Sequence, residues 1–189
     1  MWEESFWGIF TKRVFVLAEL LITIPEKVSA KLEGNILSVN GPLGLIKKDF
    51  SKVRVFIEMP GKEIKLKSYS DKRGDLAVLG TASSHIKNLF NGVTKGYKYK
   101  LKIVSAHFPI SVKVKGSNIL VENFYGEKAP RVAKIVGSCK VSVEGDDVIV
   151  QGSSKDNVGQ TAANIEAATT VKRKDQRVFL DGVYVYEQS

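Results

Sequence analysis

EGNILSVNG, residues 33–41, and GSNILVENFYG, residues 116–126, write one turn-and-strand pattern twice in a chain of 189 residues. Working outward, the first copy is IPEKVSAKLEGNILSVNGPLG and the second is FPISVKVKGSNILVENFYGEK. Each opens on an apolar residue and a proline, Ile24-Pro25 and then Phe108-Pro109. Alternating residues follow, Val28, Ala30 and Leu32 in one, Val112 and Val114 in the other. A small polar turn, an Asn-Ile-Leu segment and a glycine complete each copy. Period-two alternation between turn residues is the mark of half-buried strands.

The parallel extends past the quoted stretches. VRVFIEMPGKEIKLKSYS reads as a hairpin turning at Pro60-Gly61, and CKVSVEGDDVIVQGSS as its counterpart turning at Gly145-Asp146-Asp147. Leu79, Ala82, Ile86, Leu89 and Val93 then recur at three- and four-residue steps, one apolar helical stripe. Val158, Ala162, Ile165 and Ala168 do the same in the second copy. Ser153 and Asp156 stand three apart before that helix, the spacing of a capping box. A strand closes each copy, YKYKLKIV and then QRVFLDGVYVYE. The expected class is α+β, a tandem duplication in which each copy is a mainly antiparallel sheet packed against one helix. The expected boundaries are an extension over 1–23, a first repeat over 24–104 and a second over 105–189.

Composition fits a folded, basic protein. Hydrophobic residues make up 43 % and charged residues 26 %, and the formal net charge is +9. That excess points to polyanions such as nucleic acid or anionic membrane. Residues 21–104 carry a net of +9 and residues 105–189 a net of +1, so basic groups in the second half act as local clusters. The lone Cys139 forms no internal disulfide and suits a reducing compartment. The oily start, MWEESFWGIFTKRVFVLAELLITIPEK, has an apolar run of only eleven residues interrupted by Glu19, against the roughly twenty needed to span a bilayer. Its acidic beginning also differs from a secretory signal. The favoured reading makes VFVLAELLITI an edge strand. A surface anchor through Trp2, Phe6, Trp7 and Phe10 is the alternative.

No catalytic constellation stands out. His85, His107 and Cys139 have no metal-ligand spacing, and neither a nucleophile elbow nor a phosphate-binding loop occurs. Asp146 and Asp147 sit in a hairpin turn, where solvation is the plain reading and a metal-dependent enzyme the remote one. No cofactor, metal or small-molecule substrate is expected. Basic clusters carry more. Lys172, Arg173, Lys174 and Arg177 lie between the second helix and the last strand, with only Asp175 interrupting. Arg grips phosphate with two parallel hydrogen bonds and Lys supplies a mobile charge. Lys155 stands where the positive end of the second helix also favours an anion. Lys128, Arg131, Lys134 and Lys140 form a second cluster, and Lys98, Lys100 and Lys102 alternate with Tyr97, Tyr99 and Leu101 in a third. Each has a plainer reading as a solvated face.

Four segments in order, IPEKVSAKLEGNILSVNGPLG, HIKNLFNGVTKGYKYKLKIVSAHFPI, VGQTAANIE and RVFLDGVYV, resemble the L-six family of large-subunit ribosomal proteins in its archaeal and eukaryotic form. The family's fold is a duplication like the one read above. The resemblance implies a structural, non-enzymatic constituent of the large ribosomal subunit, in the cytoplasm. It would bind ribosomal RNA beside neighbouring ribosomal proteins, near the region where translation-factor GTPases dock, with no membrane. A free nucleic-acid-binding module off the ribosome is the alternative. In the family the second domain makes most RNA contacts. Carried onto this chain, that selects Lys155, Lys172, Arg173, Lys174, Arg177 and Gly182 as RNA-binding. VKRKDQRVFLDG replaces the Lys-Gly-Lys-Gly type loop of bacterial members, so bacterial contacts do not transfer. MWEESFWGIFTKR has no family counterpart and is expected to reflect an upstream start, with natural synthesis beginning nearer Val14.

Overall fold

The computed structural model describes residues 18–172, 174, 175 and 177–189. In the first half these form β1 Glu19–Thr23, β2 Ser29–Glu33, β3 Ile36–Gly41, β4 Gly44–Asp49, β5 Val55–Glu58, β6 Glu63–Ser68 and α1 Arg73–Thr94. The second half holds β7 Tyr97–Val104, β8 Ser111–Lys115, β9 Asn118–Glu122, β10 Arg131–Lys134, β11 Lys140–Glu144, β12 Asp147–Gly152, α2 Lys155–Ala168 and β13 Gly182–Gln188. The repeated turn has one backbone cause. Gly34 and Gly116 take φ of +61° and +60°, a left-handed conformation open to a residue without Cβ. Each starts a two-residue turn, with Glu33 opposite Ile36 and Lys115 opposite Asn118.

The strands divide among four antiparallel sheets, ordered β1-β6-β5, β2-β3-β4, β8-β9-β10 and β11-β12-β7-β13. Each unit is therefore a tandem copy of the same α+β plan, with its strands shared between two small sheets and one helix packed on both. The alternation in β3 buries Leu37 and Val39, and β6 buries Ile64 and Leu66; these join Leu79, Ile86 and Val93 of α1 in one core. The second core joins Leu101, Ile119, Val121, Val148, Val150 and Val183 to Val158 and Ile165 of α2. Full burial of each such side chain contributes roughly 1.5–3 kcal/mol, which suffices to hold a short helix that would be marginal alone.

One boundary is corrected. YKYKLKIV does not close the first copy; as β7 it lies between β12 and β13, and Leu101 is fully buried in the second core. The true repeat frame begins one strand earlier in each copy. β1 flanks β6 at the edge of its sheet as β7 flanks β12, and β13 then adds a strand that has no equivalent in the first unit among the described residues. Alternation sets which face of a strand is buried but not which strands it joins. The edge-strand reading of the N-terminal segment is met from Glu19, which also pairs with Lys65 at 2.6 Å. Trp2, Phe6, Trp7 and Phe10 lie outside the described residues.

The capping residue also moves by one. Ser154, not Ser153, caps α2, and its hydroxyl accepts the Asn157 N–H at 3.4 Å. Across the seam, the C-terminal end of α1 abuts the loop before α2. A Cβ on Gly92 would stand 2.0 Å from the Ser153 carbonyl oxygen, so only glycine permits the approach. An ion pair between Lys48 of β4 and Asp156 of α2 also joins the units. No helix among the described residues is long and apolar enough to cross a membrane.

Candidate nucleic-acid interface

Helix α2 is held by polar bonds as well as by its apolar stripe. The Thr161 hydroxyl accepts the Val136 N–H at 3.0 Å and donates to the Asn157 carbonyl at 2.8 Å. The Asn164 amide donates to the Lys134 carbonyl at 2.9 Å. At the far end Thr169 is buried and accepts the Val183 N–H at 3.1 Å, while Glu166 accepts the Val185 N–H at 3.3 Å. VGQTAANIE thus fixes the helix to its neighbours through residues that no charge pattern marks. Arg131 completes the anchorage. Its guanidinium donates to the carbonyls of Ala168 and Thr170 at 3.0 and 3.2 Å, and grips both Glu127 oxygens at 2.9 and 2.6 Å. It also lies 4.1 Å over the Phe124 ring. Expected as part of a basic cluster, Arg131 is used inside the fold instead.

The segment 171–181 leaves α2 and returns to β13. Asp175, which interrupts the cations, closes a local turn: its side chain accepts the Arg177 N–H at 2.9 Å and its carbonyl accepts the Phe179 N–H at 3.0 Å. Lys172, Lys174 and Arg177 are all exposed, and none has a carboxylate partner among the described residues. Lys174 stands 4.4 Å from the Phe179 ring, which also stacks on His107 at 5.0 Å and faces Tyr125 at 5.8 Å. Arg173 falls outside the described residues.

Asp181 ties this segment down. Its carboxylate is fully buried and accepts the N–H of Ala106 at 2.6 Å and of His107 at 3.2 Å, with the His107 ring at 3.3 Å. Burial alone would raise its pKa; the hydrogen bonds from Ala106 and His107, and the His107 charge, outweigh burial and hold the carboxyl below its ordinary value. Gly182, expected among the RNA contacts, is buried at the start of β13 beside Tyr184, whose ring carbon a Cβ would meet at 2.9 Å.

Lys155 is exposed at the start of α2, 5.8 Å from the Tyr97 ring. The segment 171–181 is joined to the opposite, C-terminal end of the same helix, so the selected cations fall at both ends of one rigid element. The lysine face of β7 is largely neutralised: Lys100 pairs with Glu187 at 2.6 Å and Lys102 with Asp147 at 3.1 Å. Asp147 is accordingly an ion-pair partner in its turn, and the described residues contain no group able to hold a metal.

The family described as Ribosomal protein L6 matches residues 24–96 and 108–182, one stretch in each unit. The chain belongs to the ribosomal protein L6 family. It is 46 % identical over 180 residues to a large ribosomal subunit protein uL6 of Ignicoccus hospitalis, covering 93 % of this chain and 96 % of the relative. It is 49 % identical to its Staphylothermus marinus namesake over 170 residues, 88 % and 92 % of the two chains. The Archaeoglobus fulgidus relative aligns over 195 residues and the whole of both chains at 41 %. The L6 family is one of structural ribosomal proteins, not enzymes. Its two matched stretches coincide with the duplication and leave β7 between them.

Proposed function

We propose that this L6-family chain is a structural constituent of the large ribosomal subunit, in the ribosomes of the cytoplasm. It binds and positions ribosomal RNA near the region where translation-factor GTPases dock, beside neighbouring ribosomal proteins. The mechanism is placement of charge, not catalysis. The observation carrying it is the exposed cationic set Lys172, Lys174 and Arg177 on a segment pinned by buried Asp181. Lys155 at the other end of α2 and the sequence neighbour Arg173 extend the contact. The relatives' name, large ribosomal subunit protein, supports the assembly.

Cations that neutralise phosphate release counterions, so binding should weaken with salt by a log–log slope of roughly 0.7–0.9 per phosphate. RNA tertiary structure is recognised by shape, 2′-hydroxyls and backbone more than by sequence. A rigid carrier of fixed cations suits that task. Sedimentation of cell lysate through sucrose gradients at low and high salt tests the reading. Co-migration with the large subunit at moderate salt is expected. Migration as a free protein at both salts would overturn it in favour of a free nucleic-acid-binding module.

A further inference from the structure

Where the units meet, a groove of about 890 Å³ opens, lined by Leu43, Asn91, Lys95, Lys98, Lys140 and Gln151 among others. Its charged floor is one transverse row of a sheet. Gln151 of β12 stands opposite Lys140 of β11 on one side and Lys98 of β7 on the other. Residues in register share a face, so the row presents Lys-Gln-Lys, the two lysines about 10 Å apart by strand spacing. The same face changes character away from the groove. Lys100 and Lys102, two and four residues along β7, are matched by Glu187 and Asp147. Lys95, Lys98 and Lys140 have no carboxylate partner among the described residues. The acid–base balance of the sheet stops at the groove.

Lys95 has a local role as well, following the negative end of α1. That role does not account for Lys98 and Lys140, which lie on strands. Gln151 between them offers an amide that can donate to a phosphate oxygen or accept from a ribose hydroxyl. Strand pairing through β12 holds Lys98 and Lys140 in register, and the close approach of Gly92 to Ser153 sets the end of α1, before Lys95, against the loop that follows β12.

We propose that this groove holds a stretch of RNA phosphodiester backbone, a second contact separate from the segment 171–181. The inference rests on the ribosomal RNA reading above. It gives the first unit a share in RNA binding, because Leu43 and Asn91 form one wall.

The test is a salt series of filter binding, full chain to a large-subunit ribosomal RNA transcript. Four proteins are compared: wild type, the triple Lys95→Gln/Lys98→Gln/Lys140→Gln, the matching triple to Arg, and Lys172→Gln/Lys174→Gln/Arg177→Gln. The groove Gln triple should lower the log–log slope by about 2, roughly 0.7 for each phosphate that is no longer neutralised. The Arg triple should retain the wild-type slope. An unchanged slope in the groove Gln triple, with a lowered slope in the loop variant, overturns the groove and leaves the loop reading intact. Unchanged slopes in both overturn both. A photo-crosslinker at Gln151 in assembled subunits should capture ribosomal RNA. Capture of a protein alone would overturn the groove's RNA assignment in favour of an acidic protein segment.

Discussion

Asp181 satisfies two backbone N–H groups and a histidine ring with one buried carboxylate. Removing it strands those donors, so Asp181→Ala should cost about 2–4 kcal/mol near neutral pH. The sign of its pH dependence follows from its lowered pKa. A carboxyl held below its unfolded value of about 3.9 stabilises fully above that pH and loses the effect as pH falls through the folded value. The gap between wild type and Asp181→Ala in urea unfolding should therefore narrow toward pH 3. A gap unchanged between pH 7 and pH 3 would contradict the assignment. Gly92 makes a simpler case. With a Cβ 2.0 Å from the Ser153 carbonyl, Gly92→Ala must displace backbone, and a loss of about 1–3 kcal/mol is expected in the same measurement. None of this was legible in the sequence: nothing local to Asp181 marks it as buried, and Gly92 lies inside an ordinary helical stripe.

At the scale of elements, α2 tests how far spacing can be trusted. Ser153 and Asp156 have the separation of a capping box, yet the cap is Ser154. Ser154→Ala should destabilise by about 0.5–1 kcal/mol and Ser153→Ala by less, read from paired thermal melts. The reverse order would restore the capping-box reading. At the other end of the helix, Arg131→Lys should fare nearly as badly as Arg131→Ala. A single ammonium cannot serve two carbonyls and a bidentate carboxylate together. Full rescue of stability by lysine would contradict the forked anchorage. Both helices and their buried stripes could be read from three- and four-residue recurrence, and most strands from alternation. The sheet that holds YKYKLKIV could not. Its partners β12 and β13 lie forty to ninety residues ahead, and nothing local to the strand records them.

For the whole molecule, duplication explains the doubled phrase while later divergence explains how the two copies differ. The first copy turns from β3 to β4 across Pro42-Leu43, but the second inserts a 3-10 turn at Phe124–Gly126. Phe124 then supports Arg131, and Tyr125 faces Phe179 beneath the cationic segment. β13 returns that segment to the sheet, and the first unit shows no equivalent strand among its described residues. The cationic run was visible from the sequence because charge clusters are local. Its support was not, because Asp181, Phe179 and Arg131 act through contacts between distant stretches. Gly182, which the resemblance selected, is buried at the start of β13, a placement that no local pattern shows.

The most direct measurement is the salt-resistance of large subunits carrying the variant Lys172→Ala/Arg173→Ala/Lys174→Ala/Arg177→Ala, assayed beside wild type by gradient sedimentation. The variant should keep its thermal midpoint, since these side chains lie outside the core, and leave the subunit at distinctly lower salt. Retention as salt-resistant as wild type, by a folded variant, would contradict the claim that this segment fastens the protein to ribosomal RNA.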